Sequence, residues 1–406
     1  MHRLSLLLYF LIFTGVFFLI TGCYQNQDTS LNANLDENFQ TALDDFHTKY
    51  GFPGATGAYV LPDGSQGAAA AGLADIEAGK PMTVRSRMLA ASIGKTFAGA
   101  ATIALAREGI LDLHIPISHW LGSREWFPRL PNHDTITLYH LLTHSSGLPD
   151  HVFTEKFASE VSQKWKMEQN PFSPEKLISF ILDTPPLFKP GEGWSYTDTG
   201  YILIGLIMEE ATGRSYYQQI ENRFLTPLNL TMTEPSNKRI LSGLAAGYTD
   251  KNNPFGFPIK STSSDGKLAW HPGIEWTGGG LVSNSGDLAR WGAALFSGKA
   301  MPGDYLNSLL DSVPINPETP DHRYGAGVSI NRAGRFGPVY GHGGWIPGYS
   351  SSLRYYADYG VAVAIQINTD SGITDGETPV IRDMEKGLAE VVISGILIQA
   401  EEAAAH

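Results

Sequence analysis

The sequence predicts an α+β domain in which an antiparallel sheet is flanked by helices and interrupted by an inserted helical subdomain. Short strand candidates occur near both ends of the chain, while helix-favouring segments dominate its middle. A sheet assembled from both chain ends, with the helical region between them, accounts for this order. The 406 residues, of which 42% are hydrophobic, suffice for one large globular unit or two intertwined ones.

The N-terminal segment is typical of an export signal. Arg3 precedes an almost wholly apolar stretch from Leu4 to Ile20, and the following Thr21-Gly22-Cys23 completes a sequence that resembles the lipobox of bacterial lipoproteins. Cys23 is the only cysteine, so an internal disulfide is impossible, and lipid attachment at Cys23 explains a lone thiol in an exported protein. The alternative is a signal-anchor helix, since an apolar stretch of about 17 residues is at the short limit of a membrane span.

These features divide the chain into four parts. We expect a lipoprotein signal peptide at residues 1–23, a flexible polar tether at 24–37, one folded domain at 38–400 and a tail at 401–406. Tyr24 stands where many bacteria read an Asp as an inner-membrane retention signal. The expected location is therefore the bacterial cell envelope, lipid-anchored to the membrane through Cys23, on the periplasmic face of the outer membrane.

The remaining elements follow from apolar periodicity and from Pro, Gly and Ser boundaries. Helices are predicted over residues 39–50, 92–108, 136–142, 174–182, 201–211 and 383–400. Strand candidates are residues 57–61, 66–71, 324–331, 338–341, 350–356 and 361–368. Residues 251–276 form the longest irregular stretch, and their aromatic side chains indicate a wall of a binding cleft.

Ser92 and Lys95 lie three residues apart at the start of an Ala-rich helix. Residues i and i+3 share a helix face, so the Lys95 ammonium can reach the Ser92 hydroxyl. Apolar residues recur every fourth position from Ile93, which indicates a buried helix in which a poorly solvated lysine can reach its neutral form and help to take the serine proton. The alternative is a Ser N-cap followed by a solvated Lys. A phosphate loop is excluded because Leu89 stands where that motif requires Gly.

Two further motifs contain residues suited to the same chemistry. Tyr196 follows a Pro- and Gly-containing turn, which can aim its side chain into a cleft. His342-Gly343-Gly344, with Trp345 after it, begins a strand-like region in which small residues let a substrate backbone approach closely. Together with Ser92 and Lys95, these motifs strengthen the prediction of a catalytic serine.

The chain resembles the serine β-lactamase-related family, which includes D-alanyl-D-alanine carboxypeptidases, class C β-lactamases, D-aminopeptidases and related esterases. The likeness extends from about Phe39 to the terminal helix. Beyond the Ser-x-x-Lys pair, it rests on residues 136–149, 196–201, 278–283 and 341–349. It implies a β-lactamase/transpeptidase-like fold and makes the stretch with His140 and His144 a structural corner.

The resemblance implies an acyl-enzyme route. Ser92 would attack a carbonyl, Lys95 and Tyr196 would share the proton transfer as a coupled unit, and water would release the product. The backbone N–H groups of Ser92 and Trp345 would form the oxyanion hole. His342 would bind or orient a substrate carboxylate, or assist proton transfer.

Two positions depart from the family pattern. His342 stands where many relatives carry Lys, and a His at this position is typical of the carboxypeptidase-like and peptidase-like branches more than of efficient class C β-lactamases. Asp198 replaces the usual Asn, and an ionised Asp only accepts hydrogen bonds. Asp198 could hold Lys95 protonated, which would favour Tyr196 as the base, and it could reject substrates whose amide carbonyl needs a donor.

The expected activity is cleavage of D-alanyl peptides, with small peptide or acyl substrates such as peptidoglycan stem peptides. A carboxylesterase or D-amidase/aminopeptidase is the first alternative, and a non-catalytic peptidoglycan-binding lipoprotein is the second. The formal net charge of −12 argues against a nucleic-acid partner. No cofactor or metal is expected, since His140 and His144 lack the Glu and the third ligand of a helical zinc motif. The absence of a Gly-x-Ser-x-Gly motif argues against an α/β-hydrolase.

Overall fold

A computed structural model describes residues 34–263, 266–373 and 379–404. The predicted signal peptide, Cys23 and most of the predicted tether lie outside these ranges. Helix α1 covers residues 34–50, so residues 34–37 belong to the folded domain and the predicted tether boundary is wrong there. The physical reason is Leu35, which is buried and packs close to Gly395 of the terminal helix. Within the described ranges, no helix is both long enough and apolar enough to cross a bilayer.

The other helices occupy mainly the middle of the chain. They are α2 (Gly94–Arg107), α3 (Ser118–Leu121), α4 (Leu138–Leu142), α5 (Glu155–Lys164), α6 (Pro174–Ile178), α7 (Asp198–Thr212), α8 (Tyr216–Ile220), α9 (Ser285–Phe296), α10 (Leu306–Leu310) and α11 (Val380–Ala404). The predicted tail is partly wrong, because α11 continues through residues 401–404. Glu and Ala, which fill these positions, are strong helix formers.

Twelve strands are present in the described part of the chain. They are β1 (Gly54–Val60), β2 (Gln66–Asp75), β3 (Lys80–Pro81), β4 (Met88–Leu89), β5 (Glu234–Pro235), β6 (Leu281–Ser283), β7 (Val313–Pro314), β8 (His322–Tyr324), β9 (Ser329–Gly334), β10 (Gly337–Ile346), β11 (Tyr349–Tyr356) and β12 (Val361–Ile367). Nine form an antiparallel sheet in the order β3-β2-β1-β12-β11-β10-β9-β8-β7, and β4-β6-β5 form a small second sheet.

The sheet joins the two ends of the chain, as predicted. β1 pairs with β12 in antiparallel register, with Ala55 opposite Ile367 and Val60 opposite Ala362. One face of the sheet packs against α1 and α11, and the other packs against α9, α2 and the inserted helices. The predicted α+β class, with its flanking helices and helical insertion, is confirmed.

One predicted strand is divided in the structure. Residues 324–331 were expected to be continuous, but β8 ends at Tyr324 and β9 starts at Ser329. Gly327 lies between them with φ of +73°, and a Cβ there would lie 2.2 Å from the Lys95 carbonyl oxygen. The turn therefore brings the sheet against the N-terminal end of α2.

Strand β10 extends beyond its partner on one side. β9 pairs with Gly337–Gly341, whereas β11 pairs with β10 as far as Ile346. Within the described ranges, the last five residues of β10 therefore have one unpaired edge. They also line the main cavity.

Candidate active site

Ser92 lies at the base of this cavity on a tight turn. The turn is a 3-10 helix over Ala91–Ile93 that leads directly into α2. Ala91 has φ of +49°, a conformation that costs energy in a non-glycine residue and persists only when its surroundings fix it. Gly279 supplies that support, because a Cβ on Gly279 would lie 2.6 Å from the Ala91 carbonyl carbon. The turn keeps the Ser92 side chain partly exposed to the cavity.

The alternative of a capping serine and a solvated lysine is wrong. Ile93 occupies the N-cap position of α2, and no side chain caps that helix. Lys95 has 0% relative exposure. Its ammonium lies 3.0 Å from Ser92 Oγ and 2.5 Å from the Gly278 carbonyl oxygen. The predicted i, i+3 contact between serine and lysine is therefore present.

Asp198 determines the charge of Lys95. Its Oδ1 lies 2.5 Å from Lys95 Nζ, at the start of α7. Burial alone would lower the pKa of Lys95, but the Asp198 carboxylate and the Tyr196 phenol raise it above its ordinary value. The prediction that burial gives access to a neutral lysine is therefore wrong. The other expectation, that Asp198 holds Lys95 protonated, agrees with this geometry.

Tyr196 completes the group around the serine. Burial raises its pKa to about 12, although the Lys95 ammonium opposes the shift, and its hydroxyl contacts both Lys95 and Ser92. Lys95 Nζ lies 4.9 Å from the centre of the Tyr196 ring. At neutral pH the side chain is thus a phenol poised beside a cation, which would stabilise a phenolate when one forms.

His342 is buried and neutral. Burial, together with the Lys95 charge, lowers the pKa of His342 to about 3. Its Nε2 lies 2.7 Å from Tyr324 Oη and its Nδ1 lies 2.5 Å from the Gly343 carbonyl oxygen. This pairing fits a tautomer in which Nδ1–H donates to the carbonyl and Nε2 accepts from the tyrosine. A substrate carboxylate bound at His342 would therefore meet no positive charge there, whereas the lysine that many relatives carry at this position would provide one.

Gly344 sets the distance between β10 and the turn that carries Ser92. A Cβ on Gly344 would lie 2.2 Å from Ser351 Oγ and 2.5 Å from the Ala90 carbonyl oxygen. Trp345 follows at the cavity rim and is 41% exposed. The close approach places the backbone of Gly343, Gly344 and Trp345 beside the turn that carries Ser92.

We expect Gly344→Ala to displace β10 from this turn. Overpacking of this kind costs about 1–3 kcal/mol of unfolding free energy. It should also shift the Trp345 N–H, which the family resemblance assigns to the oxyanion hole, and the loss of one such donor lowers kcat by about 100-fold. Thermal unfolding and steady-state kinetics measure both effects. The matched control is Gly286→Ala, whose added methyl would meet no atom nearer than 3.7 Å. Wild-type kinetics in Gly344→Ala would contradict this account.

Three site residues were missed by the sequence predictions. His144 was interpreted as part of a structural corner, yet its ring centre lies 4.3 Å from that of Tyr196, and its Nδ1 accepts a hydrogen bond from the Thr197 N–H. Glu275 and Asp150 line the cavity near Lys95. Of these three residues, only His144 is marked by a sequence signal, which is the Ser-Ser-Gly turn that follows it.

The cavity has a volume of about 520 Å³. Its wall is mainly aromatic and aliphatic, and the predicted contribution of the 251–276 segment is confirmed by Phe255, Phe257 and Trp270. Phe153, which is 81% exposed, lies at the same surface. An apolar cavity with a few convergent polar groups fits a small organic substrate. In the described ranges, no group of three or more His, Cys, Asp or Glu side chains is arranged to hold a metal ion.

Glu275 makes the stability of the protein depend on pH. Burial, reinforced by Asp198, raises the pKa of Glu275 from 4.5 to about 8. The folded protein therefore keeps a proton that the unfolded chain releases near pH 4.5, and stability falls as the pH rises from about 5 to 8. We expect Glu275→Gln to remove this pH-dependent loss of unfolding free energy, which is of the order of a few kcal/mol. Denaturant unfolding of both proteins at pH 5 and pH 8 measures the loss. An unchanged difference between the two pH values would contradict the shift.

The fold is that of a serine hydrolase, with Ser92 on the turn that leads into a buried helix beside an antiparallel sheet. The chain belongs to the Beta-lactamase family, whose model matches residues 35–386. The family resemblance predicted from the sequence is thereby confirmed, as is the expectation of an enzyme.

Similar sequences include a penicillin-binding protein and an esterase. Penicillin-binding protein 4* of Bacillus subtilis is 29% identical over 297 residues, which cover 71% of this chain and 62% of the relative. Esterase EstB of Burkholderia gladioli is 30% identical over 167 residues, 40% of this chain and 41% of the esterase. The chain thus spans less than two thirds of the length of either relative.

Two similar solved structures are amide hydrolases. D-amino acid amidase from Ochrobactrum anthropi SV3 superposes with a TM-score of 0.73 at 25% identity, covering 90% of this chain and 99% of the amidase. A D-stereospecific amidohydrolase from Streptomyces sp. gives a TM-score of 0.69 at 28% identity, covering 82% and 94%. These likenesses agree with a hydrolase and do not separate peptidase, amidase and esterase activity.

Proposed function

We propose that the protein hydrolyses amides or esters of D-amino acids through an acyl-enzyme on Ser92. The observation that carries the proposal is the contact chain from Ser92 Oγ to the Lys95 ammonium and on to Asp198, at the base of an apolar cavity. A buried cation beside a hydroxyl lowers the cost of forming an alkoxide. The D configuration is supported by the amidase and the amidohydrolase to which the fold is similar.

In the acylation step, the substrate lies extended along the unpaired edge of β10. Its carbonyl oxygen accepts hydrogen bonds from the backbone N–H groups of Ser92 and Trp345. The reactive form of the enzyme is the minor species in which Tyr196 is a phenolate, stabilised by the Lys95 ammonium. Ser92 Oγ attacks the carbonyl carbon while its proton passes to this phenolate oxygen. Tyr196 then gives a proton to the leaving amine or alcohol, and water releases the acid in the reverse sequence.

A neutral leaving group distinguishes this proposal from a carboxypeptidase. A carboxypeptidase must recognise the terminal carboxylate of its leaving residue, but His342 is uncharged and Arg354 lies 3.1 Å from Glu385 in an ion pair. The expected D-alanyl carboxypeptidase is therefore our second candidate. It is favoured by the likeness to penicillin-binding protein 4* and by Arg354 and Arg382 in the cavity wall.

The full-length protein should be assayed with three substrates. We expect hydrolysis of D-phenylalanine p-nitroanilide, at least about 10-fold slower hydrolysis of the L-enantiomer, and little release of D-alanine from a stem pentapeptide. D-Alanine release that exceeds anilide hydrolysis would replace the amidase with the carboxypeptidase. Hydrolysis of simple nitrophenyl esters alone would leave only an esterase.

We also propose that the enzyme is anchored in the cell envelope by lipid on Cys23. The proposal rests on the lipobox-like sequence and the single cysteine. Metabolic labelling with palmitate should mark the wild-type protein in the membrane fraction and not a Cys23→Ala variant. Equal labelling of both proteins would contradict the lipobox interpretation.

A further inference from the structure

Tyr196 lies on a segment that no helix or strand supports. Residues 193–197 belong to neither kind of element, and α7 begins at Asp198. The backbone N–H groups of such a segment need acceptors elsewhere in the molecule, because an unpaired buried donor costs free energy. The proposed mechanism requires the Tyr196 hydroxyl to stay within reach of both Ser92 and Lys95. Another part of the chain must therefore hold this segment in place.

His144 supplies hydrogen-bond acceptors on both sides of Tyr196. Its carbonyl oxygen accepts a hydrogen bond from the Ser195 N–H at 3.0 Å, and its Nδ1 accepts one from the Thr197 N–H at 3.2 Å. The centre of its ring lies 4.3 Å from the centre of the Tyr196 ring. One residue thus contacts the residue before the tyrosine, the residue after it and the tyrosine ring itself.

The conformation of His144 is itself fixed by its surroundings. Its φ of +58° is uncommon in a residue other than glycine, and such a conformation persists only where neighbouring contacts determine it. Asn132 supplies contacts of this kind, because its Nδ2 donates to the Ser146 carbonyl at 3.0 Å and to the Phe188 carbonyl at 2.8 Å. These bonds hold the turn that follows His144, and the His144 side chain is fully buried.

His144 can accept the Thr197 hydrogen bond because its ring is neutral. A ring nitrogen that accepts a hydrogen bond carries no proton, so the single ring proton lies on Nε2. Burial, reinforced by the Lys95 charge, lowers the pKa of His144 well below its ordinary value. Nε2 makes no hydrogen bond to any described residue. Among the described residues, Thr197 is therefore the one hydrogen-bond partner of this ring, and that bond orients the segment of Tyr196.

We propose that His144 is a positioning residue, which holds Tyr196 in the orientation from which it exchanges a proton with Ser92. This inference rests on the proposed function, in which Tyr196 takes the serine proton. His144 acts through the backbone on either side of the tyrosine and through the tyrosine ring. Without the Nδ1 acceptor, the Thr197 N–H loses its partner and the Tyr196 hydroxyl loses its fixed distance to Ser92. A displacement of about 1 Å can lower a rate by about 100-fold, so the loss should fall on kcat rather than on KM.

The test compares two variants of similar side-chain size in the full-length protein. His144→Asn keeps a side-chain oxygen at the position of Nδ1 and tolerates a positive φ, whereas His144→Leu offers no acceptor. Each protein is labelled to completion with a fluorophosphonate, and its intact mass gives the fraction of reactive Ser92. We expect kcat per labelled site for D-phenylalanine p-nitroanilide to fall by about 10- to 100-fold in His144→Leu, with KM nearly unchanged. His144→Asn should recover most of this loss.

His140→Leu is the matched control. His140 precedes His144 by four residues, and its Nδ1 accepts a hydrogen bond of the same kind from the Thr137 N–H at 3.2 Å. That bond caps α4 and does not involve the segment of Tyr196. His140→Leu should therefore lower the melting temperature and leave kcat per labelled site unchanged.

Three outcomes would overturn the inference. These are wild-type kcat per labelled site in His144→Leu, equal losses in His144→Leu and His144→Asn, or an equal loss in His140→Leu. If His144→Leu does not fold, His144→Gln replaces it in the comparison, because Gln carries its amide oxygen one bond further from the backbone.

The rate of fluorophosphonate labelling separates this inference from the proposed function. The labelling rate depends on activation of Ser92 and not on the amide substrate, and it should also fall in His144→Leu and recover in His144→Asn. A wild-type protein that is labelled but does not hydrolyse the anilide would contradict the proposed function alone. The labelling rates of the same variants would then decide whether His144 positions Tyr196.

Discussion

Replacing Ser92 with alanine is expected to abolish acyl-enzyme formation and lower kcat by about 10⁴-fold or more. Ser92 Oγ is the only atom in the proposed mechanism that bonds to the substrate, and it lies 3.0 Å from the Lys95 ammonium. No neighbouring group replaces it, because Tyr196 is a phenol whose pKa burial raises to about 12. Each protein is incubated separately with a fluorophosphonate and with a penicillin, and its intact mass is recorded. The wild type should form an adduct with the fluorophosphonate. Ser92→Ala should form no adduct with either reagent.

A matched control exists in the same cavity. Ser329 also lines the cavity but belongs to β9, and Ser329→Ala should keep both the adduct and wild-type kinetics. An adduct on Ser92→Ala would show that another residue is the nucleophile. A wild-type protein that reacts with the fluorophosphonate but leaves penicillin intact would agree with Asp198 rejecting β-lactams, whose side-chain carbonyl needs a donor.

The sequence predicts the local part of the site better than its electrostatics. The Ser92–Lys95 contact follows from helical spacing, whereas the turn at Ala91 depends on close packing against Gly279, which is distant in the sequence. The direction of the Lys95 pKa does not follow from that spacing. It depends on Asp198, which is over 100 residues away and approaches only because α7 packs against α2.

Glu275 and His144 show where sequence patterns stop being informative. Glu275 lies in the irregular stretch, where no periodicity marks a buried side chain, and its carboxyl lies close to Gly279, the residue that packs against Ala91. His144 shares a short spacing with His140 that suggests a metal site. In the structure the two rings have different environments, because His140 caps α4 through Thr137 while His144 packs on Tyr196. Sequence spacing alone does not distinguish these roles.

The division of the predicted 324–331 strand has a similar origin. Gly325 and Gly327 weaken the strand pattern locally, and Gly327 adopts a left-handed φ of +73° where it approaches the Lys95 carbonyl. This turn also brings Tyr324 to His342, so the same tertiary contact that defeats the local prediction helps to build the site. Local propensity and site geometry conflict at Ala91, a non-glycine residue with φ of +49°.

Lys95→Met is expected to lower kcat/KM by about 10³-fold or more. The change removes the ammonium that contacts Ser92 Oγ, Asp198 and the Tyr196 ring, so neither the serine alkoxide nor the tyrosine phenolate is stabilised. Methionine fills a similar volume, which limits the packing loss. The control Lys299→Met changes an exposed lysine and should be silent. Thermal unfolding of each variant shows whether a loss of activity comes from removal of the ammonium or from unfolding of the protein.

The Asp198–Lys95 ion pair is expected to set the pH dependence of the reaction, which the pH profile of Asp198→Asn tests. In the wild type, Lys95 is protonated and Tyr196 has a raised pKa of about 12, so kcat/KM for an ester without an amino group should rise with pH into the alkaline range. Asp198→Asn removes a carboxylate that raises the pKa of both Lys95 and Tyr196, so both pKa values should fall and a proton acceptor should become available at lower pH. We therefore expect the profile of Asp198→Asn to move to lower pH, whereas Asp45→Asn, an exposed change on α1, should leave it unchanged. Coincident wild-type and Asp198→Asn profiles would show that the Asp198–Lys95 ion pair does not set the pH dependence of the reaction.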